Sequence, residues 1–293
     1  MGTRDTWGLR EGDAITAGLT AMRLLGGGAA YEAYLAFDEI TYAPVVVKVL
    51  RPGQVEDRFS RHGLRREAAA LAAVNHPGVV RGLRHVADGD RPHLVLEHVD
   101  GPRLSSLVRR YGPLQAQQYL PLAIDVASAL HYFRHVGQVH LDVKPSNIIM
   151  GAPARLIDLS VMRPVEEAAR LDHVIGTDAY LSPEQADPGR LGVPGPASDV
   201  WGLGATLFHA IAGHRPYADG EPDAAEVADR HPQVVADPPD LSARTPAEVA
   251  KVVRACLERR PEDRPVPREV ADILQPVLER LPRARLTGFA VKR

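Results

Sequence analysis

The chain reads His-Leu-Asp-Val-Lys-Pro-Ser-Asn at residues 140–147, and this stretch decides how the rest of the sequence is interpreted. It places Asp142 and Asn147 in a segment that Pro145 keeps out of regular helix. Residues 124–133 before it have helical spacing, and a short apolar run follows it. A polar loop between two buried elements can present a carboxylate, an ammonium and an amide together. A solvated turn is the alternative, since Asp, Pro, Ser and Asn all form turns.

Composition favours a functional loop over a simple turn. Arginine supplies nearly all of the positive charge, and the chain has only four lysines and two asparagines. Lys144 and Asn147 both fall within residues 140–147, and Lys48 lies in an apolar strand. The concentration of such rare residue types in this stretch favours a functional role for the loop.

Length and composition indicate a soluble globular protein with a large core. Of the 293 residues, 45% are hydrophobic and 25% are charged, and the formal net charge is −2. This balance gives no reason to expect nucleic acid or an anionic membrane as a partner. The single cysteine, Cys256, excludes an intramolecular disulfide, fits a reducing cytoplasm and is expected to be a buried helix residue. No signal segment or apolar stretch of about 20 residues is evident, so we predict a cytoplasmic protein without a membrane span.

Small residues separate two predicted strands near the N-terminus. The strands cover residues 15–25 and 32–38 and follow a polar lead-in, residues 1–14, that we expect to be flexible. Between them the chain reads Gly-Gly-Gly-Ala-Ala-Tyr at 26–31, where small side chains let backbone N–H groups approach an anion. A plain hairpin whose glycines supply positive φ is the alternative. Because a strand follows, the segment is unlike a dinucleotide-binding motif.

A lysine interrupts the most apolar strand. The run Val-Val-Val-Lys-Val-Leu at 45–50 is typical of a strand buried on both faces, where an unpaired ammonium would be costly. The helix predicted over 59–74 offers Glu67 as a partner for Lys48. Two alternatives stay open: an edge strand with the lysine in solvent, and a solvated helix face for the glutamate, which two arginines precede.

The remaining elements are mostly helical. Strands are predicted at 79–86 and 93–99, helices at 104–110, 115–135, 245–258 and 266–281, and loops at 187–197 and 214–240. His131 and His135 have the spacing of a zinc-binding helix, but no third ligand is evident, so we predict no metal role for them. Asp158 ends a short apolar strand, where a carboxylate suits a divalent ion held against phosphate oxygens.

Six of these separated motifs, in their order along the chain, resemble those of the protein kinase superfamily. Residues 140–147 resemble the catalytic loop H-R-D-x-x-x-x-N, with Leu141 in the arginine's place. Lys48 and Glu67 match the lysine of V-A-I-K and its helix glutamate. The pattern over roughly residues 15–280 is that of bacterial serine/threonine protein kinases of the eukaryotic type.

The glycine-rich segment matches the family only in part. Gly26 and Gly28 occupy the first two glycines of G-x-G-x-x-G-x-V, but Tyr31 replaces the third and Ala33 replaces the valine. We expect the Tyr31 ring at or near the loop tip, where it would stiffen the loop or partly cover the site.

The resemblance implies ATP as the nucleotide and Mg²⁺, with Mn²⁺ as an alternative, as the metal. Lys48, held by Glu67, would fix the α- and β-phosphates, while Asp158 and Asn147 would hold the metal. Leu96 would be the gatekeeper. The complete set of implied nucleotide contacts is Gly26, Gly27, Gly28, Ala33, Val46, Lys48, Leu96, Glu97, Val99 and Asn147, with adenine read by backbone groups of Glu97 and Val99.

The resemblance also implies catalytic and substrate-platform residues. Asp142 would orient the acceptor hydroxyl and take its proton, and Lys144 would stabilise the transferring phosphoryl group. A lysine two residues after the aspartate is the serine/threonine pattern. Residues 176–184 resemble the end of a kinase activation loop, in which Thr177 would contact Asp142 and Lys144.

Three further residues are implied to be structural. Glu184 would form an ion pair with Arg264 beneath the platform. Asp199 would cap backbone N–H groups of the catalytic loop, although an ordinary helix N-cap explains this residue nearly as well.

Departures from the family motifs suggest unusual regulation. Family members with H-R-D use the arginine to hold an activation-loop phosphate, whereas Leu141 carries no charge. The loop at 161–176 contains no Ser, Thr or Tyr. The motif D-F-G is Asp-Leu-Ser here, so Ser160 restricts the backbone where the family has glycine. We therefore expect an enzyme that activation-loop phosphorylation does not control.

The implied fold is α+β and two-lobed, with an antiparallel sheet plus one helix in the N-lobe and a mainly helical C-lobe. We expect the kinase domain at 15–280, divided into an N-lobe (15–96), a hinge (97–101) and a C-lobe (102–280), and a basic tail at 281–293. The implied function is transfer of the γ-phosphoryl group of Mg-ATP to Ser or Thr of a protein substrate. A nucleotide-binding pseudokinase scaffold and a small-molecule phosphotransferase are the alternatives, and a homodimer is left open.

Overall fold

The computed structural model describes residues 5–282, which form an N-terminal sheet with one helix and a larger helical lobe. The sheet strands are β1 (Ala14–Thr16), β2 (Leu19–Gly27), β3 (Tyr31–Asp38), β4 (Ala43–Leu50), β5 (Gly82–Val86) and β6 (His93–Glu97). Their order is β1-β2-β3-β4-β6-β5, and all neighbours are antiparallel. Helix α1 (Arg58–Ala73) connects β4 to β5 and packs on the sheet.

The second lobe carries short strands and the remaining helices of the described chain. The helices are α2 (Leu104–Tyr111), α3 (Ala116–His135), α4 (Val165–Ala168), α5 (Pro183–Ala186), α6 (Pro196–Ala212), α7 (Val227–Arg230), α8 (Ala247–Cys256) and α9 (Pro267–Glu279). The two-residue strands pair as β7 (Gln138–Val139) with β10 (Arg163–Pro164), and as β8 (Ile148–Ile149) with β9 (Arg155–Leu156). The predicted α+β, two-lobed fold is confirmed. No helix within residues 5–282 has both the length and the apolar character that crossing a bilayer requires.

Two element predictions were wrong in detail. The strand predicted over 15–25 is two strands, because Gly18 adopts φ +77° and turns β1 back onto β2. The loop predicted over 214–240 contains the one-turn helix α7. Both differences arise from local turns that hydrophobic periodicity does not report.

The register of the sheet sets one face of β4 toward the second lobe. Val45, Val47 and Val49 are buried in an apolar cluster on the other face. Lys48 pairs with Ala33 on β3, and successive side chains alternate between faces. The lysine therefore occupies the face that also carries Val46, and the apolar run covers a core on one side and a cleft on the other.

Close helix packing supports the catalytic loop from below. Helix α6 is buried along nearly its whole length, with Trp201 1% exposed. A Cβ atom at Gly202 would lie 2.8 Å from the Val143 carbonyl oxygen, and one at Gly204 would lie 2.6 Å from the Cβ of Cys256. Glycine at both positions allows α6 to approach the catalytic loop on one side and α8 on the other. Cys256 is fully buried in α8, as predicted.

The chain before β1 lies against the sheet. The Trp7 indole Nε1 donates to the Leu50 carbonyl at 2.7 Å, and the guanidinium of Arg91 lies 4.6 Å from the indole ring centroid. The predicted flexibility of residues 1–14 stays a prediction. Of the basic tail predicted at 281–293, the part beyond Pro282 lies outside the described residues.

One fully buried ion pair connects three parts of the C-lobe. Arg264 donates to both carboxylate oxygens of Glu184 at 2.7 and 2.8 Å, and also to the Ala197 carbonyl at 2.9 Å. Ser198 donates to the same carboxylate at 2.7 Å, and both charged side chains are 0% exposed. The pair therefore joins the segment before α9 to α5 and the start of α6.

Removing one partner of this pair should destabilise the fold strongly. In Arg264→Met the Glu184 carboxylate stays buried without its cation, so the free energy of unfolding should fall by about 3–5 kcal/mol. Urea denaturation followed by circular dichroism measures the change. Arg280→Met breaks the exposed pair with Glu248 and should leave the midpoint unchanged. A midpoint for Arg264→Met equal to that of the wild type would contradict the structural role.

Candidate active site

A cleft between the sheet and the helical lobe is lined by most of the implied nucleotide contacts. Apolar side chains such as Val46, Leu96 and Ile149 form much of its walls, and Lys48, Asn147 and Asp158 lie together at one end. Of the implied nucleotide contacts, those lining the cleft are Ala33, Val46, Lys48, Leu96, Glu97, Val99 and Asn147. A slot with apolar walls and charges at one end suits a flat ring joined to phosphates.

Three charged side chains meet at the inner end of this cleft. The Lys48 ammonium donates to Glu67 Oε1 at 2.6 Å and to Asp158 Oδ1 at 2.7 Å. Burial lowers the pKa of Lys48, but the two carboxylates outweigh burial and hold it above its ordinary value. Desolvation raises the pKa of Asp158, but the attraction of the Lys48 ammonium outweighs desolvation, so this pKa lies well below its usual range. The lysine is therefore charged, and Asp158, whose side chain is 34% exposed, is an ionised carboxylate open to the cleft.

The catalytic loop brings a second group of polar side chains together. Lys144 donates to Asp142 Oδ2 at 2.7 Å and also to the Thr177 hydroxyl. Thr177 donates to the other Asp142 oxygen at 2.7 Å. The Asn147 amide Nδ2 donates to the Asp142 carbonyl and to Oδ2, each at 3.0 Å. Asp142 is thus held in one orientation by three neighbours, one of which also lines the cleft.

Asp199 fixes the backbone of this loop. Its carboxylate accepts from the His140 N–H at 2.8 Å and from the Leu141 N–H at 2.7 Å. It lies within α6, whose N-cap is Gly195, so the alternative of an ordinary N-cap is wrong. Burial raises the pKa of Asp199 to about 7, although the hydrogen bonds from the two N–H groups act to lower this pKa. Leu141 has φ +63°, a conformation that a leucine adopts only when its surroundings impose it.

The segment after Asp158 is packed inward. Asp158 has φ +69°, and Leu159 is completely buried in the same apolar core as Leu71 of α1. Arg66, also on α1, donates from Nε and Nη2 to the Ser160 carbonyl at 3.3 and 3.1 Å. Helix α1 therefore contacts this segment through its core face and through an arginine that the sequence interpretation had treated only as surface charge.

The residues fit a divalent metal at the inner end of the cleft. Asp158 offers a carboxylate, and the Asn147 amide donates only through its nitrogen, so within residues 5–282 its oxygen accepts no hydrogen bond. Magnesium is commonly bound through one or two protein oxygens together with substrate phosphates, which this donor set matches. In the described part of the chain, no three or more His, Cys, Asp or Glu side chains form a cluster able to hold a metal, and this applies to His131 and His135 as well.

Ion pairs that were not predicted from the sequence hold the side chain of Glu97, the first residue of the predicted hinge. The Glu97 carboxylate accepts from Arg155 Nη1 at 2.6 Å and from Arg81 Nε and Nη2 at 3.2 and 3.1 Å. Arg81 precedes β5 and Arg155 lies on β9, so the glutamate side chain connects the two lobes. Arginines are frequent in this chain, and nothing in the sequence distinguished these two.

The glycine-rich turn differs from expectation at Tyr31. The Tyr31 ring does not extend from the loop tip. Tyr31 is the first residue of β3, and the Lys48 ammonium lies 5.8 Å from the centroid of the ring. Burial raises the pKa of Tyr31 to about 12. Gly26, Gly27 and Gly28, implied as nucleotide contacts, are not among the residues that line the cleft, and a Cβ at Gly27 would overlap the Tyr31 carbonyl oxygen. The ring is directed inward because β3 alternation points it at α1 and Lys48.

An apolar contact holds residues 161–176, called the activation segment from here on, against residues 140–147. Leu141, Val139 and Ala168 form a small buried cluster against which Val161, Val165, Leu171 and Ile175 pack. The same segment pairs with β7 through β10. Gln185 donates to the Leu141 and Ile175 carbonyls, each at 2.9 Å. Apolar burial of Leu141 therefore connects the two segments.

Comparison with known proteins identifies the family. The protein kinase domain family matches residues 19–289, and the chain belongs to that family. It is 34% identical over 253 residues to serine/threonine-protein kinase PknB of Mycobacterium leprae, covering 82% of this chain and 40% of that protein. PknB of Mycobacterium tuberculosis (strain H37Rv) is also 34% identical, over 254 residues, with the same coverage. Probable serine/threonine-protein kinase PkwA of Thermomonospora curvata is 34% identical over 225 residues, which is 76% of this chain and 29% of that protein. The chain spans about 40% of the length of the PknB relatives it matches.

Loss of the Lys48 ammonium should weaken binding of a nucleoside triphosphate. In Lys48→Met, Glu67 and Asp158 lose the cation between them, and the phosphates lose a charge-assisted hydrogen bond. A bond of that kind contributes about 1.5–3 kcal/mol, so the Kd for Mg-ATP should rise about tenfold or more. Competition against a fluorescent ATP analogue measures this. Lys251→Met, which removes an exposed lysine of α8, is the control and should bind as the wild type does; equal affinity in both variants would contradict the role.

Proposed function

We propose that this chain is a protein kinase domain that transfers the γ-phosphoryl group of Mg-ATP to Ser or Thr hydroxyls of a protein substrate. The observation that carries the proposal is the 2.7 Å contact between Lys48 and Asp158, residues that lie far apart in sequence and meet in one cleft beside Asn147. The names of the relatives, all serine/threonine-protein kinases, support the same reaction.

Each charged residue has a chemical task in this proposal. Lys48, oriented by Glu67, binds the α- and β-phosphates, and Asp158 and Asn147 hold Mg²⁺ (or Mn²⁺). The metal neutralises charge on the transferring phosphates when it is bound. Asp142 accepts a hydrogen bond from the substrate hydroxyl and takes its proton, at the oxygen where Thr177 or Lys144 now donates.

Substrate class follows from the neighbourhood of Asp142. Lys144 lies within hydrogen-bonding distance of the carboxylate and can stabilise the phosphoryl group as it leaves ATP. Thr177 and the residues up to Glu184 form a platform braced by the buried Arg264 pair, which suits an extended peptide. A platform of this kind favours a protein over a small molecule as acceptor.

The proposed domain limits follow the sequence interpretation. The kinase domain covers 15–280, with the N-lobe at 15–96, the hinge at 97–101 and the C-lobe at 102–280. We place the reaction in the cytoplasm, where ATP is available and where a buried free cysteine such as Cys256 stays reduced. A protein substrate is the partner that the site requires, and no feature of the site calls for nucleic acid.

The decisive test is transfer of label from radiolabelled ATP to a generic protein substrate. Asp142→Asn removes the proton acceptor and keeps the shape, so the rate should fall about 10²–10⁴-fold while Mg-ATP binding is retained. Asp172→Asn, an exposed change in the activation segment, is the matched control and should transfer label at the wild-type rate. Wild-type protein that binds ATP without transferring label would instead be a pseudokinase, and transfer only to small molecules would indicate the third alternative.

We further propose that activation-loop phosphorylation does not control this enzyme. The buried contact of Leu141 with Ala168 supports this, because it holds the segment without any phosphate. Residues 161–176 also offer no hydroxyl acceptor.

Phosphatase treatment should therefore leave the enzyme active. We expect kcat/KM to change less than about twofold after treatment, since no phosphate contributes to the order of the segment. Mass spectrometry of ATP-treated protein measures occupancy in parallel. An activity that collapses on dephosphorylation would refute the proposal.

A further inference from the structure

The outer side of the glycine-rich turn carries hydrogen bonds that the proposed mechanism does not use. Arg51, directly after β4, donates from Nε to the Gly28 carbonyl at 2.8 Å. Its backbone N–H donates to the Ala30 carbonyl at 2.9 Å, and the Gly28 N–H donates to the Tyr31 carbonyl at 3.0 Å. One residue therefore fixes two carbonyl groups of a turn that lacks the third glycine of its family.

A buried carboxylate holds the Arg51 side chain in place. Arg51 Nη1 donates to Glu32 Oε1 at 3.0 Å, and Glu32 is only 2% exposed. The other carboxylate oxygen accepts from the Tyr34 hydroxyl at 2.7 Å and from the Trp7 N–H at 3.3 Å. A carboxylate buried to this degree requires a cation, so the pairing restricts the guanidinium to one orientation.

The chain before β1 completes the arrangement. Arg51 Nη1 also donates to the Asp5 carbonyl at 2.8 Å, and the Asp5 carboxylate accepts from the Gly53 N–H. Trp7 is anchored by its bond to the Leu50 carbonyl. We call Asp5, Trp7, Glu32 and Arg51 the outer brace.

The geometry of the peptide bond links the outer brace to phosphate binding. In a planar trans peptide the N–H points opposite to the carbonyl that shares its plane. Because Arg51 holds the Gly28 carbonyl, the Ala29 N–H is directed away from Arg51, to the other face of the turn. An N–H fixed in advance binds an anion without losing conformational freedom on binding.

We propose that Arg51 is a positioning residue for the nucleotide phosphates, which orients the Ala29 N–H through the Gly28 carbonyl and is itself held by the rest of the outer brace. The inference rests on the proposed function, since it assumes that ATP occupies the cleft. Arg51 is not among the residues that line the cleft, so we expect its loss to weaken phosphate recognition and to leave adenine recognition intact.

Comparison of two ligands tests the proposal. The Kd values of Mg-ATP and of adenosine, which has no phosphates, are measured by calorimetry for the wild type, Arg51→Met and Arg51→Lys. We expect Arg51→Met to raise the Kd and KM of Mg-ATP about tenfold, with the adenosine Kd and kcat within about twofold of the wild type. Arg51→Lys, which keeps the charge and one donor, should recover part of the loss.

Arg65→Met is the matched control. Among the residues that the structure describes, the Arg65 side chain makes only an exposed ion pair with Asp88 and contacts no member of the outer brace, so this variant should bind both ligands as the wild type does. If Arg51→Met does not fold, Arg51→Lys alone decides, with an expected rise of about threefold for Mg-ATP only.

Three outcomes would overturn these conclusions, and they can be told apart. Unchanged Mg-ATP affinity in the Arg51 variants would refute the positioning role. An equal loss for ATP and adenosine would also refute it, because it would show a general disturbance of the lobe. Wild-type protein that binds neither ligand would overturn the proposed function itself.

Discussion

A lysine ammonium held between two carboxylates governs how the parts of this molecule are arranged. Lys48 comes from the sheet, Glu67 from α1 and Asp158 from the helical lobe, and the two contacts measure 2.6 and 2.7 Å. Each charge would be costly in this enclosed cleft without its partners. The position of α1 and the course of the chain after β9 are therefore tied to the sheet, and the shape of the cleft depends on this three-way contact.

The catalytic loop is held in a different way, mainly through its backbone. Asp199 accepts two backbone N–H groups, and Gln185 donates to a carbonyl of the same loop. Leu141 then buries its side chain against the activation segment. Hydrogen bonds and apolar burial together therefore hold this region in place.

Arginine side chains provide many of the longer connections. Five arginines join elements that are distant in sequence: Arg51, Arg66, Arg81, Arg155 and Arg264. Two of them, Arg51 and Arg264, donate to backbone carbonyls as well as to carboxylates. A guanidinium carries five N–H donors in a rigid plane, so one side chain can satisfy several acceptors at once. A chain with only four lysines and abundant arginine is well supplied with such connectors.

The sequence, through its resemblance to the protein kinase superfamily, was sufficient to predict the α+β two-lobed fold, the contact of Lys48 with Glu67, and the position of Lys48, Asn147 and Asp158 in one cleft. A lysine inside an apolar strand and a rare asparagine in a loop are unusual by themselves, whereas the two aspartates were predicted from the motifs around them. Only the tertiary structure decided that the Tyr31 ring is directed inward, that arginines donate to the Glu97 carboxylate, and that Arg51 donates to carbonyl groups of the glycine-rich turn. Those features depend on backbone acceptors and on elements brought together by folding, and a backbone carbonyl is the same at every position of the sequence.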